Sequence, residues 1–198
     1  MQLQIKLPGM FAALVLLMAA TRYNHFGSSV SLPDASLAVF LLAGFLTARL
    51  TWLALPAFVL LILEAGGIDY YAINVAGVSD WCVTPAYWFL IPTYAIMWLG
   101  GRWFAKRQQY TLNSLVLFTG VSWLTTTAAF LISNASFYLL SGRYSEMIVA
   151  EYSHRVAQFY PPYLAGSLMY LALAAVAYIL MHNLSGTFAS VQHHKNSQ

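Results

Sequence analysis

The chain has 198 residues, of which 60% are hydrophobic and only 8% charged, with a formal net charge of +3. A soluble globular domain carries about 25% charged residues, so this composition excludes a water-facing fold and leaves an integral membrane protein of one domain. The single cysteine excludes an intramolecular disulfide framework, and no nucleic-acid partner is expected.

Six apolar segments follow one another, near 8–23, 35–48, 51–65, 84–100, 112–133 and 161–182. Together they predict an all-α bundle of six transmembrane helices. The first, "MFAALVLLMAA", resembles a signal peptide, but its positive region is only Lys6 and its removal would invert the charge bias of the rest, so it is read as a helix. The second and third are short for a bilayer that needs about 20 residues per span. The tight link "TARLTW" makes them an αα-hairpin, or helices in a thin or protein-buried region.

An even number of spans puts both termini on one side. With cytoplasmic termini, the inner segments carry Lys6, Arg49, Arg102, Lys106, Arg107 and Lys195, and the outer ones only Arg22, Arg143 and Arg155. That distribution satisfies the positive-inside rule. The six carboxylates (Asp34, Glu64, Asp69, Asp80, Glu146 and Glu151) all fall outside or at the outer edge. The expected setting is a bacterial inner membrane, with the lipid bilayer as solvent and any site facing the periplasm.

Two outer connections, 66–83 and 134–160, are long, and long ordered connections tend to carry function. Gly66 and Gly67 in "EAGG" are expected to end the third helix. Cys82, in "GVSDWCVTPAYW", is either a small buried hydrophobe or a soft metal ligand on the outer face. One cysteine without CxxC or HxxxH cannot build a closed zinc site, but it can supply one axial ligand to a metal already held in a macrocycle. Asp69 reads as an exposed loop aspartate or a pocket residue. Tyr70, Tyr71, Trp81, Tyr87 and Trp88 form an interfacial aromatic belt, or a wall for a flat apolar ligand. Arg155 either pairs with Glu151 one turn earlier or donates hydrogen bonds to a ligand's amide or phosphate oxygens. His154 in its loop and His182 near the inner end of the last helix stand alone, and "NAS" at 134–136 carries no weight. Phosphate loops and GxSxG motifs are missing. Ionisable residues within the spans are nearly absent, which argues against a proton relay.

The set "GGIDYY…SDWCVTPAYW…SHRVAQF", on a six-segment chain with inner termini, resembles the BtuM family of small bacterial cobalamin transporters. That family is related to the substrate-binding S-components of energy-coupling-factor transporters. The resemblance implies uptake of cobalamin in its base-off form, with Cys82 as axial ligand to cobalt and Asp69, Tyr87 and Arg155 around the corrin. It also implies cysteine-mediated removal of cyanide from cyanocobalamin. S-components that dock on an energising module carry small residues on helix one; Gly9 and Ala13 match only partly, so the protein is expected to work without such a module. Periplasmic or outer-membrane proteins that deliver cobalamin are its implied partners. Two other readings stand beside this one: a membrane thiol enzyme of corrinoid processing, and an accessory subunit without ligand, indifferent to Cys82→Ala.

Overall fold

A computed structural model describes residues 2–24 and 32–195, with side chains described over 7–22 and 32–180. The side chains of Lys6, His182 and Lys195 lie outside the described ones. Seven α-helices form, and no strand occurs among the described residues: α1 (Gln2–Asn24), α2 (Ser36–Leu46), α3 (Thr51–Asn74), α4 (Leu90–Ala105), α5 (Leu112–Leu140), α6 (Val149–Ala157) and α7 (Tyr160–Lys195). A 3-10 turn, Pro85–Phe89, leads into α4. Thr51–Asn74, Leu112–Leu140 and Tyr160–Leu180 are long and apolar enough to cross a membrane, and Leu7–Arg22 and Ser36–Leu46 are shorter apolar helices.

Helix ends follow local chemistry. The Thr111 hydroxyl accepts from the Ser114 N–H and caps α5. Asp34 Oδ1 accepts from the Ser36 N–H at 2.9 Å and thereby satisfies a free donor in the first turn of α2. The expected stop at Gly66 and Gly67 does not occur. Both glycines lie inside α3 with open space around them, and the helix continues to Asn74. It is closed by Gly77, whose φ of +71° is the left-handed conformation that favours glycine. The Val78 N–H bonds back to the Ala72 carbonyl across this turn. The connection read as 66–83 therefore shrinks to about ten residues, and that read as 134–160 is largely α5 and α6. With 29 residues, α5 is about 44 Å long. It outreaches a hydrocarbon layer of about 30 Å, so its end projects where a loop was expected.

The eleven residues of α2 are too few to span a bilayer, and eight of them are buried. This helix is enclosed by its neighbours rather than facing lipid, which explains its length. It meets α4 backbone to backbone. A Cβ on Gly44 would lie 2.2 Å from the Trp98 carbonyl oxygen, and one on Gly101 would lie 1.9 Å from that of Leu41. Small residues permit such approach, and the van der Waals contact drives helix association where lipid is as apolar as leucine. Above this seam Phe40 stacks on Tyr94 at 4.3 Å, and Phe58 sets its edge against Phe40 and Trp98. Outward, Trp52, Leu55, Leu63, Leu124, Leu131 and Leu173 are exposed. On a water-facing protein such a surface would aggregate, whereas lipid accepts it.

Gly101→Leu should separate α2 from α4. Overpacking costs about 1–3 kcal/mol where neighbours can yield, and here the obstacle is backbone. A melting temperature in detergent lowered by many degrees is expected, with Gly66→Leu on the open face of α3 as the near-neutral control.

Candidate functional site: an open cavity with a thiol at its mouth

A cavity of about 560 Å³ opens at one end of the bundle. Its lining draws on the C-terminal ends of α1, α3 and α5 and the N-terminal ends of α2, α4 and α7, so these six helices alternate in direction.

The floor is built around Arg22, in the last turn of α1 and 6% exposed. Its Nε donates to Asp69 Oδ1 at 2.7 Å and its second terminal nitrogen to Asp69 Oδ2 at 2.5 Å, a bidentate pair between α1 and α3. The remaining terminal nitrogen donates to the Tyr94 hydroxyl at 2.6 Å, to Ser36 Oγ at 3.1 Å and to Asp34 Oδ2 at 3.4 Å. The Tyr87 hydroxyl donates to Asp69 Oδ2. Sequence reasoning placed Arg22 among outer topology charges and left Asp69 open between loop and pocket. Both are buried instead, because α3 extends more than two turns beyond its apolar run and brings Asp69 against Arg22 in the last turn of α1.

The mouth is made by the 75–84 connection. Cys82 is exposed and lines the cavity. Arg143 holds this connection: its guanidinium donates to the Trp81 carbonyl at 2.9 Å and lies 4.6 Å from the centre of the Trp81 ring. Trp81 in turn packs on Phe137 of α5 at 5.3 Å. Partial burial pushes the Cys82 thiol above its ordinary range, the Arg143 charge pulls it back, and Asp69 adds to the upward push. At neutral pH the group therefore rests as the thiol. Tyr87, Phe137, Phe159 and Tyr163 give the walls aromatic faces, and Ser133, Asn134 and Ser167 give them polar points. The "NAS" triplet thus lies within α5, not on a loop.

Cys82, Asp69 and Tyr87 are brought together. Arg155 is not: it sits on α6, more than half exposed, with its guanidinium 3.9 Å from Glu151, the surface pair that the spacing of four allows. Arg22, Asp34 and Arg143 are the residues that sequence reasoning did not single out. For Arg22 a signal existed, since an arginine closing an apolar helix must find partners. Among the described residues no three His, Cys, Asp or Glu side chains cluster as a metal cage, so the cavity suits a metal only when its other ligands arrive with it. No protein-family model matches the chain, and no curated protein matches it either.

Breaking the floor pair from either side leaves a buried charge short of its partner, at a cost of about 3–5 kcal/mol. Arg22→Met and Asp69→Asn should each lower the melting temperature sharply, while the double variant should lose little more than either alone. Additive losses would show that the two side chains do not act as a pair.

Proposed function

We propose that this protein takes up cobalamin across a bacterial inner membrane. The reading rests on the sequence resemblance, and the structural observation that supports it is one thiol at the open mouth of an aromatic-walled cavity. A lone thiolate is a soft ligand that suits cobalt whose four equatorial positions are already filled by a corrin. In the proposed complex Cys82 takes one axial position, Tyr87 and Asp69 face the corrin periphery, and the Arg143–Trp81 contact holds the thiol at a fixed height above the floor. Arg155 stands on the rim and contributes only if α6 turns inward over the bound cargo.

The proposed topology has six spans with both termini cytoplasmic and the cavity facing the periplasm. Arg49, Arg102, Lys106 and Arg107 lie at the end of the bundle away from the cavity, the distribution that the positive-inside rule requires. Reorientation of the bundle would carry the cargo inward, independently of an energising module.

Cyanide removal follows from the same bond. The Cys82 sulfur displaces electron density onto cobalt, cyanide leaves with its electron pair, and the thiol's proton balances it as hydrogen cyanide. Neither cobalt nor sulfur changes oxidation state.

Protein purified after expression with cyanocobalamin should carry a corrinoid whose ultraviolet–visible bands are shifted, and Cys82→Ala should lose the shift but keep its fold. A colourless parent protein, or a shift that survives Cys82→Ala, would overturn the reading. With a cobalamin that carries no cyanide to take it up, the bond releases the thiol's proton to solvent, because the thiol rests protonated. Between about pH 6 and pH 8 the parent's affinity relative to Cys82→Ala should rise about tenfold per unit, and a flat ratio would exclude thiolate ligation.

A further inference from the structure

A second cavity of about 600 Å³ lies at the opposite end of the bundle, between α2, α4, α5 and α7. Its walls are apolar: Phe45, Phe104, Phe118, Ala175 and Ile179. Two polar features break them. Gln108 lines the cavity, and its Nε2 is buried without a hydrogen-bond acceptor among the described residues. The Tyr110 and Tyr178 rings stack at 5.9 Å with their hydroxyls 2.9 Å apart.

The charges around this cavity are of one sign. The described side chains at this end include Arg49, Arg102, Lys106 and Arg107 and no carboxylate. Arg49 lies near enough to the Tyr178 hydroxyl for its charge to act there. Arg102 and Arg107 are engaged with backbone carbonyls, at Thr47 and Trp103. Arg49 and Lys106 have no such bond among the described residues, and both are exposed.

From this juxtaposition we infer that the cavity is a binding site for an anionic phospholipid. One acyl chain fills the aromatic groove between α5 and α7. An ester carbonyl accepts from Gln108 Nε2, the donor that otherwise lacks a partner. The phosphate lies between Arg49 and Lys106. A basic rim above an apolar slot at the end of a transmembrane bundle selects headgroup charge and tail together, whereas an apolar slot alone accepts any lipid or detergent.

The test is native mass spectrometry of the full chain in detergent, delipidated and titrated separately with dioleoylphosphatidylglycerol and dioleoylphosphatidylcholine. Phosphatidylglycerol should be retained more tightly. Arg49→Gln should weaken it about fivefold, as expected for one surface cation, and leave phosphatidylcholine unchanged. Ala175→Trp, which fills the groove, should weaken both. Equal retention of the two lipids would overturn the proposal, and so would phosphatidylglycerol binding indifferent to Arg49→Gln. Should Ala175→Trp fail to fold by circular dichroism, the Arg49→Gln comparison decides alone, because that side chain is on the surface.

Discussion

The pairing of Arg22 with Asp69 is the constraint that orders the cavity end of the molecule. A guanidinium at the end of an apolar helix is expensive to desolvate, and it is tolerated only where its donors all find acceptors. Here the acceptors come from four elements: Asp34 before α2, Ser36 in α2, Asp69 in α3 and Tyr94 in α4. One cation thus sets the relative height of four helices. Its planar fork makes that setting directional, as a lysine's point charge would not.

Below this hub the packing is of another kind. The seam between α2 and α4 rests on Gly44 and Gly101 admitting the opposing backbone, and at its far end Arg102 of α4 donates to the Thr47 carbonyl that closes α2. A short, enclosed α2 follows from the two together. Arg22 fixes its upper end through Ser36 and Asp34, and the glycines fix its flank. The floor of the cavity is therefore built before any loop is considered, and the loops only determine who has access to it.

The sequence made the helical class and the positions of the apolar runs legible, because hydropathy reports directly on what lipid will accept. It did not reveal where α3 and α5 end. Residues 66–74 and 134–140 are polar or aromatic enough to read as connections, yet their backbones continue the helix, since hydrogen-bonding propagates at little cost beyond the apolar stretch. Two glycines in "EAGG" looked like a stop, but α3 closes where Gly77, not Gly66 or Gly67, takes positive φ. The same difficulty hid the site. Cys82, Asp69 and Tyr87 lie close in sequence and were legible as a group. Arg22 and Arg143 are more than 45 residues from the nearest of these partners, and no local pattern links them.

The placement of charge around Cys82 bears on why a thiol can stand exposed. Partial burial is the main cost to a free thiolate there; Arg143 beside it offsets part of that cost, and Asp69 on the floor below adds to it. Reactivity towards oxidants follows thiolate content, so the resting group, although exposed, is protected by its protonation. The Asp69 carboxylate, which adds to the cost of a bare thiolate, also favours a cation. Arg22 faces both Asp34 and Asp69, which leaves the floor with one formal negative charge in excess. A positively charged metal complex entering the mouth would cancel the repulsion at the moment it takes the proton's place on sulfur. Under the proposed function, the thiol is then inert in the empty cavity and becomes a ligand only on arrival of the cargo. That selectivity comes from the partial burial and the fixed charges already present around the thiol, without a moving part.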